Sequence, residues 1–243
     1  MKTRTLQAIF LFLLLGNVRP GLAADDDLRG DRVGWVRLKT PSRWWKRHAE
    51  ADPALMKFLT ANTSLNLDSK WNEADAEDLD ELCHYPLLFS QGVETVASAA
   101  GRTNIVEYIR RGGFLLIDAC IDNSVTPDPD VFFARQIQWL AETMPEARVL
   151  PLPPNHIVYR CYFQIPDGKP PNTHTSYYKT DDPRWTKHGL YEIRIGSRTA
   201  GVITLSGLQC GWACVGSPPA LGNDIACMKM LVNIYMFAML QGD

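Results

Sequence analysis

Excess charge of either sign is missing from this 243-residue chain: 25 Lys and Arg stand against 27 Asp and Glu, a formal net charge of −2. At the level of composition there is therefore no nucleic-acid or anionic-membrane footprint, and no nucleic-acid partner is expected. The common cofactor fingerprints are missing too. The most glycine-rich stretch, Gly207 to Gly222, carries Cys210, Trp212 and Cys214 and resembles neither a Walker loop nor a dinucleotide fingerprint. No cofactor is expected. The six cysteines include no CxxC pair, so neither a redox motif nor a zinc ribbon is spelled out. There is no Ser-His-Asp triad with its local motif, no carboxylate pair set by glycosidase spacing, and no internal repeat. A stable membrane span is also missing from the body of the chain. The apolar stretch Ile225 to Leu240 is 16 residues long, includes Lys229 and Asn233 and follows Asp224. It falls short of the roughly 20 residues a bilayer requires and reads as a helix packed on a sheet.

At the N-terminus, Lys2 and Arg4 precede the apolar run Ala8 to Leu15, and Gly21-Leu22-Ala23 places small residues at −3 and −1. This is a signal-peptide pattern, expected to be cleaved after Ala23 and to send the chain to the periplasm or outside the cell. The first cysteine is Cys83, so no lipid-anchoring cysteine follows the leader. Residues 24–30 read as a mobile acidic start, and residues 31–243 as one α/β domain with a long excursion over residues 164–189. An exported destination permits disulfides among Cys83, Cys120, Cys161, Cys210, Cys214 and Cys227. Their pairing stays open. Cys210-x-x-x-Cys214 is the best local bridge candidate, and Cys227, inside an apolar helical run, reads as a buried thiol.

The chain is organised around Tyr85 to Cys120. Pro86 to Phe89 is a short apolar strand, and Asn104 with Glu107 has capping-box spacing for a helix with Ile105, Tyr108 and Ile109 on one face. Gly112-Gly113 ends it. Phe114 to Ile117 is apolar on both faces, as a parallel strand requires, and delivers Asp118 and Cys120 to its C-terminal end, where open α/β sheets place ligands. Upstream, Val33 to Leu38 alternates as a strand, Asp52-Pro53 caps a helix through Leu59, and the acidic run Asn72 to Leu82 reads as a solvated helix or loop. Downstream, Asp130 opens a helix with Phe133, Ile137, Leu140 and Met144 inward. Arg148 to Leu152 is a brief strand and Val158 to Phe163 is extended. The sheet resumes at Tyr191 to Ile195 and Ala200 to Leu205 before the last helix, capped by Asn223 or Asp224. Strands alternating with helices from Leu87 onward predict a mostly parallel, doubly wound sheet.

Three constellations can carry chemistry. Asp118 and Cys120 at a strand end, with His156 in a later loop, form a candidate thiol site with a base; the plain alternative is a buried or bridged cysteine. The flanks of Cys120 are Asp118 and Asp122, not the glycines of a nucleophile elbow. Asp118, Asp122 and His156 offer a weak oxygen/nitrogen metal set; otherwise Asp118 accepts loop amides or pairs with an arginine such as Arg135. Trp44, Trp45, Trp185 and Trp212 suit either sugar stacking or a core. Beside the first two, Arg43 to His48 mixes bases with aromatics and reads either as a phosphate- or sugar-facing platform or as core tryptophans with snorkelling neighbours.

His84 to Phe89 and Tyr108 to Cys120 resemble the bacterial domain-of-unknown-function family four-one-five-nine, whose core has a tyrosine-proline strand and a Gly-Gly-Phe strand ending in aspartate. The likeness continues through Leu152 to Ile157 and the closing helix at Leu231 to Tyr235. It implies a flavodoxin-like three-layer sandwich akin to class I glutamine amidotransferase-like and trehalose-utilisation-like domains, and no established activity. Two functions are therefore expected as rivals. One is a non-catalytic envelope module binding an unknown ligand or envelope protein in the strand-end cleft and the 164–189 excursion. The other is an exported hydrolase or transferase, acting on sugars for instance, centred on Asp118, Cys120 and His156.

Overall fold

The computed structural model describes residues 33–68, 70–214 and 222–241. The signal-peptide pattern, the acidic start and most of the Gly207–Gly222 loop's second half lie outside the described residues. Seven strands form one sheet in the order β2-β1-β3-β4-β7-β6-β5. The parallel core is β1 (Val36–Lys39), β2 (Asn72–Asp75), β3 (Leu87–Ser90), β4 (Phe114–Asp118) and β7 (Arg198–Thr204). β6 (Leu190–Ile195) runs antiparallel to β7, and β5 (Arg148–Pro151) antiparallel to β6. The architecture is thus the expected α/β sandwich with a mostly parallel sheet. Its last three strands add a mixed edge because Gly196-Ser197, with Gly196 at φ 58°, turns β6 straight back into β7.

Helices cover both faces. On one side α2 (Leu79–Cys83), α3 (Ala99–Arg110) and α4 (Pro129–Thr143) pack over Leu88, Leu115 and Ile117. On the other, α1 (Asp52–Asn62) and α8 (Asn223–Met239) pack over Leu87, Phe89, Phe114 and Leu116. β4 is buried along its whole length because it is covered twice. Each of its large side chains contributes about 1.5–3 kcal/mol by leaving water. Three short helices, α5 (Thr173–Tyr178), α6 (Pro183–Thr186) and α7 (Leu208–Ala213), lie near the C-terminal ends of the parallel strands or in the 164–189 excursion. Among the described residues no helix is long and apolar enough to cross a membrane.

Several elements differ from the sequence expectation for identifiable reasons. α3 starts at Ala99, capped by Ser98 accepting from Gly101, rather than at Asn104. Gly101 is tolerated inside it because a Cβ there would stand 2.8 Å from Val96 Cγ1. α4 begins at Pro129 on the Asp128 cap, and its buried face carries Phe132, Gln136, Trp139 and Leu140, leaving Ile137 exposed. Gln136 turns inward because its carbonyl accepts from the Val93 amide at 2.9 Å. Asn72 to Asp75 is a strand, since only Ala74 needs burying on a sheet edge. In place of the extended segment expected over residues 158–163, the chain forms a 3-10 turn at Ile157–Tyr159 followed by turns and bends. The 164–189 excursion is partly helical, with Trp185 buried and stacked on His174 at 5.2 Å.

Asp52 is the most consequential departure. It is the first residue of α1 rather than its cap, and its carboxylate is fully buried against Arg37 of β1. Arg37 Nε and Nη2 donate to it at 2.5 and 2.7 Å, and the indoles of Trp35 and Trp212 donate at 2.9 and 3.4 Å. The guanidinium also lies over the Phe89 ring, 5.0 Å from its centre. Asp52→Ala strands the cation in the core and is expected to lower stability by about 3–5 kcal/mol in chemical denaturation. The paired apolar change Arg37→Met with Asp52→Leu should cost clearly less.

Candidate functional site

The C-terminal ends of β1, β3, β4 and β7 release four loops onto one spot. β4 and β7 are sheet neighbours, with Asp118 paired to Thr204, so the segments that follow them run side by side. This brings Cys120 and Cys210 together, sulfur to sulfur at 3.2 Å, both as free thiols. Gly207 makes the approach feasible. It sits at φ 62°, and a Cβ on it would fall 2.4 Å from Ile121 Cγ2. The Ile121 amide then donates to Cys210 Sγ at 3.4 Å.

The loop after β1 supplies the third member. His48 holds a left-handed backbone, φ 60° and ψ 18°, which costs a side-chain-bearing residue on the order of 1–2 kcal/mol. The loop is pinned in that shape: Arg37 Nη1 donates to the carbonyls of Trp45 and Arg47, and Gln209 donates to the Arg47 carbonyl as well. Gln91, from the loop after β3, donates to Gln209. As a result His48, Cys120 and Cys210 each offer a donor atom within 4.8 Å of the others.

Above them is a cavity of about 150 Å³ lined by Arg47, His48, Asp122, Tyr177, Tyr178 and Cys210, with Ile121 and Cys214 alongside. Arg47 Nη2 and Asp122 Oδ2 pair across its mouth at 2.5 Å. Asp122 is held below the usual carboxylate range, first by the Ser124 hydroxyl and amide. Tyr177 and Tyr178 are contributed by α5, so the long excursion forms one wall of the cleft.

Electrostatics divide the two thiols. The Cys210 thiol, donating to Cys120, and the nearby His48 pull the Cys120 thiol well below its ordinary pKa, while Cys210, facing that developing thiolate and buried, is pushed up. Both are almost wholly covered, at 1% and 3% exposure; Cys210 lines the cavity and Cys120 lies behind it. Asp118 lies beneath the pair. Its Oδ2 accepts from the Gln209 amide at 2.8 Å, and its Oδ1 has no partner. Burial pushes its pKa up to about 7, against the opposing amides of Gln209, Leu208 and Gly207.

Asp118 and Cys120 thus share one strand end. His156 is placed elsewhere. It caps the Ile157–Tyr159 turn, its ring 5.3 Å from Phe237 near the far end of α8, and burial lowers its pKa. Asp122 stands with the Cys120 group and not with His156. Cys210 and Cys214 are both free thiols, with Cys214 lining the cavity, and Cys227 is fully buried with its pKa pushed up to about 12 by burial. Of the four tryptophans weighed as a surface, Trp185 and Trp212 belong to the core. Trp44 and Trp45 are half-buried, with Arg43 and Lys46 over their rings.

Fold and site together define a flavodoxin-like α/β protein with a thiol–imidazole cluster at the strand ends. The family described as Domain of unknown function (DUF4159) matches residues 35–239, and the chain belongs to that family. No curated protein matches it.

The Asp118 environment sets a pH signature. Its folded pKa is raised above the unfolded value, so ionisation costs folding free energy that is absent below about pH 4 and complete above about pH 7. Asp118→Asn, whose amide can occupy the unpartnered Oδ1 position, should stabilise the fold at pH 8. The gain should vanish by pH 4 in denaturant titrations at the two pH values.

Proposed function

We propose that this is an exported cell-envelope protein whose strand-end cleft binds a small ligand or the tip of a larger one, with Cys120 and Cys210 as the working groups at its floor. The observation that carries the reading is convergence: three loops, those after β1, β4 and β7, together with α5, enclose one cavity whose lining includes His48 and Cys210, with Cys120 directly against Cys210. Open parallel sheets bind ligands at this edge, where the loops diverge between β1 and β3. A cavity near 150 Å³ accommodates a benzene-sized group, so the occupant is the end of a molecule or a compact one. Arg47 and the tyrosine hydroxyls favour a polar or anionic end. Export rests on the leader pattern at residues 1–23. Kinship with amidotransferase-like domains is part of the same reading, supported by the parallel sheet and a cysteine at the end of a central strand.

The rival reading, an exported hydrolase or transferase, gains from His48 standing beside Cys120, which is the place a general base would occupy. In that case His48 rather than His156 is the base. The near-complete burial of Cys120 restricts any such substrate to what the cavity admits.

Access through the cleft is testable with iodoacetamide on the reduced, chelator-treated protein, read residue by residue by mass spectrometry. Exposed Cys83 should label first, half-buried Cys161 and Cys214 next, then Cys210 and Cys120, and Cys227 only after denaturation. Tyr178→Ala should speed labelling of Cys210 several-fold. If Cys120 and Cys210 prove as inert as Cys227, the cleft is closed and the reading fails.

A further inference from the structure

The cluster at the cavity floor has the composition of a metal site. Two sulfurs and one imidazole nitrogen, from three different loops, lie within 4.8 Å of one another. A tetrahedral zinc ion, with bonds of about 2.3 Å to sulfur and 2.0 to 2.1 Å to nitrogen, holds its donors roughly 3.5–3.8 Å apart. The observed sulfur–sulfur separation of 3.2 Å needs only a small outward movement to meet that spacing.

The surroundings agree with this reading. The Ile121 amide already points at Cys210 Sγ, the type of contact that stabilises a thiolate. Glu50 Oε1 lies 3.7 Å from His48 Nδ1, within reach of the ring nitrogen that a cation held through Nε2 would leave free. His48 holds a left-handed backbone next to the Arg47 carbonyl, which Arg37 and Gln209 both fasten. Strain of that kind is kept where a side chain has to be aimed. The donor set contains no carboxylate oxygen. That disfavours magnesium and calcium, whereas paired sulfur with imidazole suits zinc. Asp118, a buried carboxylate nearby, is engaged by the Gln209 amide in the first turn of α7. Cys214 lines the same cavity yet stands outside the donor set.

We propose that His48, Cys120 and Cys210 bind one divalent cation of the zinc class, leaving a fourth coordination position open to the cavity beside Arg47, Tyr177 and Tyr178. The proposal rests on the cleft reading above and names what the cleft floor holds. Three protein ligands with one open position are the arrangement of zinc sites that act on a bound molecule rather than merely brace a fold. Binding releases the thiol protons to solvent and leaves a cation that can accept an anionic or neutral donor from the ligand tip. Because Arg47 already pairs with Asp122 at the mouth, a ligand carboxylate or phosphate would compete with Asp122 for the same guanidinium.

Cobalt(II) is the direct probe. The purified protein, reduced and stripped with chelator, is titrated with CoCl2 and followed by absorbance. One equivalent should give sulfur-to-cobalt charge transfer in the near ultraviolet and the intense visible bands of tetrahedral cobalt, both removed by one equivalent of ZnCl2 and untouched by MgCl2. Cys120→Ser and Cys210→Ser should each weaken binding at least 100-fold, and Glu50→Gln on the order of tenfold. Cys83→Ser should bind as the parent does. Should a cysteine variant fail to fold, His48→Gln, which alters a half-buried loop residue, gives the same loss in a folded protein by circular dichroism. No tetrahedral cobalt spectrum in the reduced parent, or a spectrum that survives either cysteine variant, overturns the proposal. Iodoacetamide access to the chelated protein is read separately, so a failed metal site leaves the cleft itself standing.

Discussion

A single buried ion pair, Arg37 with Asp52, fixes how the first strand, the first helix and the site loop meet. Neither side chain has any solvent contact, so each charge is tolerated only because the other is there in bidentate geometry. The same guanidinium reaches two carbonyls of the loop between them, and the same carboxylate collects two indole N–H groups. Replacing the pair with apolar groups of equal volume could preserve stability. It would not dictate the path of residues 40–51, and it is that path which carries Arg47 and His48 over the end of β4. The pair is best understood as specifying the loop rather than as a source of net stability.

With that loop fixed, the rest follows from strand order. β4 is flanked by β3 and β7. Whatever follows β7 must therefore pack against whatever follows β4, which puts Cys210 beside Cys120. β5 lies three places from β4, beyond the β6–β7 hairpin, and its following turn packs on the lower part of α8. His156 is carried there with it. The two apolar layers hold the sheet rigid beneath the site, while the exposed tyrosines of α5 line one side. A rigid floor under a wall built from an excursion is a common way to combine fixed chemistry with adaptable recognition.

Much of this was legible in the sequence wherever a pattern is local. β3, α3, the Gly-Gly stop and β4 each have periodicity or turn chemistry within a few residues, and the end of β4 marks the binding edge without any tertiary knowledge. The polar strand β2 was not legible, because an edge strand with one buried residue shows no alternation. Gly196-Ser197 did carry a hairpin signal, and taking it up would have placed β6 antiparallel. Cys210 was visible only as a neighbour of Cys214, since the adjacency of β4 and β7 is a fact of topology. His48 stood inside a noted basic-aromatic patch. Its role depends on Arg37, Gln209 and a left-handed backbone, none of which local spacing encodes.

The central claim is that the segments after β4 and β7 meet thiol to thiol. Mild oxidation of the folded protein with diamide, followed by non-reducing peptide mapping, tests it directly. One bond linking Cys120 to Cys210 is expected, with Cys227 left reduced. A bond from Cys210 to Cys214, with Cys120 free, would contradict it.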